Sequence, residues 1–213
     1  MTRLYILRHG ETEWNKQNRT QGCSNDLSLS DYGRNQVKEV ANRFKNILVD
    51  TLYSSDLKRA YETADEISKI VNQPVNKTLS LREMNFGCWE GLTSQEIGIK
   101  YKDIYEIWHS NPLNANIPDA ESLIELQKRV LRFINDIILK HKDKNIVIVS
   151  HGITIKIMIF SILGIDLSFN NRIRIDNTGI SIIDYYNSQS VLTLLNDTSH
   201  LVGSHVSRRS HLS

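Results

Sequence analysis

The sequence predicts an α/β fold: a three-layer sandwich with a mostly parallel central sheet, one antiparallel edge strand and a helical insertion over the sheet edge. Three observations carry this reading. Two strongly apolar runs, residues 4–7 and 146–149, each end in a polar residue followed by His-Gly, at His9-Gly10 and His151-Gly152. Their length and composition suit strands buried on both faces, as in parallel sheets. Amphipathic helical patterns alternate with short strand-like runs, which places helices on both faces of such a sheet. Late in the chain, Asn177-Thr178-Gly179 joins two strand-like segments directly, so that edge is expected to be antiparallel.

The elements follow in order. Ser30 is placed to cap a helix carrying Val37, Val40, Ala41, Phe44 and Leu48 at helical spacing. Residues 51–53 form a short strand, and a helix from about Asp56 lines up Leu57, Ala60, Ala64, Ile67 and Val71. Residues 75–77 are strand-like and 79–82 extended. Thr93-Ser94-Gln95-Glu96 and Ser122-Leu123-Ile124-Glu125 each fit a capping box, so helices start near 94 and 123. The second runs to about Lys140 with Leu126, Val130, Phe133 and Ile137 inward. A strand at 145–150, a helix to Leu163 closed by Gly164, and strands near 172–176, 179–185 and 191–195 complete the chain. Residues 84–122, which contain Pro112 and Pro118, read as an insertion, and insertions at a sheet edge shape pockets. Residues 1–201 are expected to form a single domain and residues 202–213 a disordered tail.

Composition bounds the partners. With 40% hydrophobic and 23% charged residues among 213, the chain is globular in character. The formal charge of +2 belongs to the tail: without Arg208 and Arg209 the 26 basic residues become 24, matching the 24 acidic ones. A neutral body does not suggest a nucleic-acid or membrane partner. No apolar window approaches the length of a membrane span, and the first residues lack the pattern of a secretory signal. Cys23 and Cys88 have no metal-ligand spacing and read as reduced thiols. The expected location is the cytoplasm and the expected state a monomer or homodimer.

Chemistry concentrates at the strand ends. With 7 His and 10 Gly, chance supplies roughly a third of one His-Gly pair, so the pair alone means little. Ligands of open α/β sheets, however, bind outside the carboxyl ends of the strands, where two such histidines could share a site. Arg8-His9-Gly10-Glu11 is rarer: at roughly 5% per residue type it arises by chance about once in a thousand chains of this length. With Thr12, Asn15, the segment Ser55-Asp56-Leu57-Lys58-Arg59-Ala60, Arg82-Glu83 and Ser150-His151-Gly152, it resembles the histidine phosphatase (phosphoglycerate-mutase-like) superfamily, in order, from residue 2 to about 201.

The resemblance implies a metal-independent phosphomonoesterase without a cofactor, its insertion lying over the active site. His9 would attack phosphorus and become phosphorylated, which suits a neutral imidazole and divides one difficult displacement into two. Arg8 and Arg59 would hold phosphate oxygens, Arg59 from the first turn of a helix whose N-terminus already favours anions. His151 would stabilise the transferring group as a cation or donor. Asn15, Gln21, Gly22 and Gly152 would touch substrate. Glu83 would protonate the departing oxygen and then, as carboxylate, activate water, while Glu11 would support the loop.

The branch is read from what the insertion holds. A mutase must grip a second anionic group, yet residues 84–122 contain only Lys100, Lys102 and His109 as basic residues. Phe86, Trp89, Tyr101, Tyr105, Trp108, Leu113 and Ile117 dominate its expected inner contacts instead. After His151-Gly152 comes Ile153-Thr154, not the Asn expected in a mutase. The 150–156 segment and Arg82-Glu83-x-x-Phe86-Gly87-x-x-Glu90-Gly91 look like the bacterial broad-specificity and α-ribazole-phosphate phosphatases, so the expected partner is a small phosphorylated metabolite. Mutase-type phosphoryl transfer is the alternative, as is a non-catalytic sensor of phospho-ligands, against which the presence of both nucleophile and acid counts.

Overall fold

The computed structural model describes residues 1–186 and 189–201. Its sheet contains β1 (Thr2–Arg8), β2 (Thr51–Ser55), β3 (Val75–Thr78), β4 (Asn145–Ser150), β5 (Ile180–Tyr186) and β6 (Gln189–Asp197), in the order β3-β2-β4-β1-β5-β6. The pairs β1–β4, β2–β4 and β2–β3 are parallel, whereas β1–β5 and β5–β6 are antiparallel. The helices are α1 (Glu13–Lys16), α2 (Asp31–Asn42), α3 (Lys58–Val71), α4 (Ser94–Lys100), α5 (Lys102–Ser110), α6 (Leu123–Lys140) and α7 (Gly152–Leu163).

The three layers follow from alternation along the central strands. β1 sends Leu4 and Ile6 into one apolar cluster and Tyr5 and Leu7 into the other; β4 divides Ile146 and Ile148 from Val147 and Val149 in the same way. The first cluster is closed by Leu126, Val130 and Phe133 of α6 and Ile155 and Met158 of α7, the second by Val40 and Ala41 of α2 and Ala60, Ala64 and Ile67 of α3. Strands apolar on both faces therefore sit between helices apolar on one. Ser30, Thr93 and Ser122 cap α2, α4 and α6, each side-chain oxygen accepting a backbone N–H of the first turn. Gly164 ends α7 at φ 68°.

Four expectations are corrected. The strand near 172–176 does not form: Leu167–Arg172 is a 3-10 helix, and residues 173–176 join no strand of the sheet. Their backbone groups serve other partners, the Ile175 carbonyl accepting from Arg8 Nη1 (2.7 Å) and the Asp176 N–H donating to Asn196 Oδ1 (2.7 Å). Asn177-Thr178-Gly179 thus leads into β5, and the expected antiparallel edge is formed by β5 with β6. Residues 79–81 are a 3-10 turn, not extended. Leu48 is 76% exposed, because α2 ends at Asn42 and the turns that follow lose the helical phase. In the insertion, Phe86, Trp89, Trp108 and Ile117 are buried and join the α6/α7 core, with Trp108 edge-on to Phe86 and Trp89 at 6.0 Å, but Leu113 is exposed. The expected tail, residues 202–213, lies outside the described residues.

Candidate active site

Register brings the two histidines together. β1 and β4 run parallel with Arg8 opposite Ser150, and the His9 N–H donates to the Ser150 carbonyl at 3.0 Å. The next residue of each strand is His9 and His151, both buried, with ring centroids 5.1 Å apart and planes inclined at 58°. β2 runs parallel to β4 as well, so α3 starts at the same edge and Arg59 occupies its first turn.

The ring of His9 has a defined tautomer. Its Nδ1 lies 2.7 Å from the Gly10 carbonyl, an acceptor only, so Nδ1 carries the proton and Nε2 keeps its lone pair. Desolvation first, then the charges of Arg59 and Arg8, push its pKa well below the usual imidazole range. His151 is pushed the same way, by burial first and then by Arg59, His9 and Arg8. Both rings are therefore neutral near pH 7, which makes His151 a donor rather than a standing cation. Neither ring nitrogen of His151 meets a hydrogen-bond partner among the described residues.

Arg59 is completely buried, and its Nη2 donates to the Gly22 carbonyl at 2.8 Å while Nε has no partner among the described residues. Burial lowers its pKa to about 10, with Glu83 pulling in the opposite direction, so it is a cation at neutral pH. Gly22 is needed for close approach: a Cβ there would stand 1.8 Å from Glu90 Oε1. Gln21 is buried, donates Nε2 to Thr12 Oγ1 and leaves Oε1 without a partner among the described residues. Asn15 Oδ1 accepts from the Thr12 N–H at 3.2 Å in the capping box of α1.

Glu83 is held at the N-terminus of α7. Its Oε1 accepts from the N–H groups of Met84 (2.9 Å) and Thr154 (3.0 Å) and shares the Thr154 hydroxyl (2.9 Å) with the Arg82 carbonyl (2.8 Å), whereas among the described residues Oε2 accepts from the Ile153 N–H alone (3.2 Å). Arg82, its neighbour in sequence, turns away and pairs with Asp56 through two bonds of 2.8 and 2.6 Å. Gly152 lies between Arg8 and Glu83, within 4 Å of both from its Cβ position. Glu11 is tied to the start of α2, accepting from the Ser30 hydroxyl and backbone N–H. Arg8, His9, Glu11, Asn15, Gln21, Glu83 and Gly152 are among the residues lining one cavity of about 1260 Å³, and His151 lies directly behind His9. Of the insertion, Phe86 and Ser94 reach it.

Sequence reasoning passed over three supports. Asn177 donates Nδ2 to the His9 carbonyl (2.9 Å), and the Thr178 N–H donates to the Arg8 carbonyl (3.0 Å), so a segment read only as a strand connection clamps the backbone at Arg8 and His9. Thr154 fixes Glu83. Arg129 of α6 donates to the carbonyls of Ser80, Arg82 and Glu83 and pairs with Glu121, which anchors the stretch carrying the carboxylate. Nothing in local sequence marks these contacts, since Asn177 reaches His9 across 168 positions, Thr154 reaches Glu83 across 71 and Arg129 reaches the Glu83 carbonyl across 46. Basic residues at the cavity also come from outside 84–122, notably Lys156, Arg172 and Arg174, so the lack of arginine in the insertion does not by itself exclude a second anionic group.

A sheet edge that gathers a neutral buried imidazole, a second imidazole, two arginines and a carboxyl defines a site for phosphoryl groups. The chain belongs to the histidine phosphatase superfamily, branch 1, whose family model matches residues 4–198. It is 34% identical over 201 residues to phosphoserine phosphatase 1 of Hydrogenobacter thermophilus, covering 94% of this chain and 95% of that one. It is 33% identical to a probable phosphoglycerate mutase of Proteus mirabilis, covering 94% and 95% respectively. Among solved structures, a phosphoserine phosphatase mutant of Entamoeba histolytica in complex with phosphoserine superposes with a TM-score of 0.86 at 33% identity, covering 95% of this chain and all of that one.

Among the described residues no helix is long and apolar enough to cross a membrane.

Proposed function

We propose that this protein is a phosphomonoesterase of small phosphorylated metabolites that works through a phosphohistidine on His9. The observation that carries the reading is that the His9 ring, which lines the cavity, lies 5.1 Å from the His151 ring and feels the charge of Arg59. The Nε of Arg59 and the ring nitrogens of His151 have no partner among the described residues, and buried polar groups without partners are costly unless a ligand satisfies them.

In the first half-reaction, His9 Nε2 bonds to phosphorus as the P–O ester bond breaks. Glu83, protonated, transfers its proton to the departing oxygen. Oε2 is the oxygen suited to carry that proton, because Oε1 is already committed to three donors. Arg8, Arg59 and His151 take the charge on the phosphoryl oxygens, fixed in advance by backbone carbonyls and burial. In the second half-reaction, the Glu83 carboxylate removes a proton from water as it attacks phosphorus. The N–P bond breaks, phosphate departs, and Glu83 is again protonated and His9 neutral. The relatives named for phosphoserine and phosphoglycerate chemistry support a small, anionic substrate. Rapid acid-free quench with radiolabelled substrate should trap an alkali-stable, acid-labile phosphate in the wild type and none in His9→Ala; label on a serine or aspartate would overturn the scheme.

A further inference from the structure

α7 continues the cavity wall beyond Gly152. Lys156 lies four residues on, one helical turn along the same face, and lines the cavity that holds His9 and Glu83. The side chain is half-buried, and no ion pair or hydrogen bond among the described residues involves it. Its surroundings work against the charge: burial is the largest effect, Arg8 repels it, and only Glu83 attracts it, so the amine is lowered to about 8. A lysine kept in such a place without a protein anion is one that a ligand anion would satisfy.

That anion differs from the phosphoryl group. The phosphoryl oxygens belong between His9, His151, Arg8 and Arg59 at the ends of β1, β4 and β2. Lys156 lies further along α7, past Glu83, and a general acid must stand at the oxygen that departs. The side of the cavity beyond Glu83 is therefore the side of the leaving group. An ammonium there meets whatever the ester oxygen carries.

Resting on the phosphatase reading above, we propose that Lys156 is a specificity residue that binds a carboxylate on the leaving group, so that the substrates are phosphorylated hydroxy and amino acids. In these molecules the carboxylate is a few bonds from the ester oxygen, whereas sugar phosphates carry none. A charged site rejects an analogue lacking its partner because the buried charge is then left without compensation.

The test measures kcat/KM for phosphoserine and for phosphoethanolamine, which is phosphoserine without the carboxylate, in the wild type, Lys156→Met and Lys156→Arg. The wild type is expected to prefer phosphoserine. The ratio should fall about 10- to 100-fold in Lys156→Met, the usual worth of one charge-assisted bond, and return to within a few-fold of wild type in Lys156→Arg. Because both substrates are hydrolysed by the same preparation, a partly unfolded variant leaves the ratio unaffected. A ratio unchanged by Lys156→Met, or a wild type indifferent to the carboxylate, overturns the proposal while the phosphatase reading stands. A wild type that hydrolyses neither compound, nor p-nitrophenyl phosphate, overturns both.

Discussion

The two oxygens of Glu83 are unequal, and the inequality is what a proton-transferring carboxyl needs. Three donors fix Oε1 in place, while Oε2, with one bond of 3.2 Å, stays available. Glu83→Gln keeps size and hydrogen bonding but cannot release a proton to an alkoxide. In the pre-steady-state burst, phosphorylation of His9 by an alkyl phosphate should slow about 10²- to 10⁴-fold, and by p-nitrophenyl phosphate much less, since p-nitrophenolate leaves unaided. Equal losses for both would reduce Glu83 to a positioning role and make Glu11 the leading acid. Thr154→Val is the companion change. It removes the hydroxyl that donates to Glu83 while leaving the backbone N–H of residue 154. The burst with the alkyl phosphate should slow about tenfold, the effect of one misplaced hydrogen bond, with KM altered less than kcat. An unchanged burst rate would show that the hydroxyl does not position the carboxyl.

At the scale of elements, three parallel strands deliver their carboxyl ends to one edge, and each contributes through the residues just beyond its last pairing. Two of these three junctions were legible, because His9 and His151 follow apolar runs that could only be central strands. The third was legible in Arg59 through the helix start after Ser55-Asp56. What was not legible is the bracing between elements. Residues 173–178 looked like a strand and a turn, yet their hydrogen bonds go to Arg8, His9 and Asn196, partners set by the register of distant strands. Arg129 is the strongest brace. Replacing it with Met removes a charged donor from three carbonyls and from the Glu121 carboxylate. The expected cost is about 1–3 kcal/mol in urea unfolding, from part-buried groups that lose a charged donor, together with a fall in kcat that follows the leaving group as for Glu83→Gln. A loss below about 0.5 kcal/mol would mean that water replaces the guanidinium there.

The whole molecule should register the burial of two histidines as a pH dependence. Both His9 and His151 have pKa values well below the usual 6.5 in the folded chain. The unfolded chain then binds more protons below that value, so the stability these groups confer is complete above pH 6.5 and is lost as pH falls toward their folded values. Each can contribute a slope of up to about 1.4 kcal/mol per pH unit in that window. His200, pushed down to about 4 chiefly by burial, adds to the same trend. Urea unfolding at pH 7.5, 6 and 5 should show stability falling with acid, and His9→Asn should flatten the curve. A curve equally steep in His9→Asn would place the acid sensitivity elsewhere. Inorganic phosphate should oppose the loss by binding the folded site, by about 2.7 kcal/mol at a hundredfold excess over its Kd.

By itself the sequence determined the layered α/β architecture and the family, and it named residues that the structure gathers at one sheet edge. Each of these is written locally: apolar runs mark strands buried on both faces, capping oxygens mark helix starts, and Arg8-His9-Gly10-Glu11 is a continuous string. Only the tertiary structure decided that His151 is neutral rather than a standing cation, since its state depends on burial and on arginines brought from β1 and α3. It also decided that most aromatic residues of the insertion belong to the core and that the cavity's basic residues include Lys156, one turn beyond Gly152. These outcomes depend on which surfaces meet, and strand order and register settle that only when the whole sheet has formed.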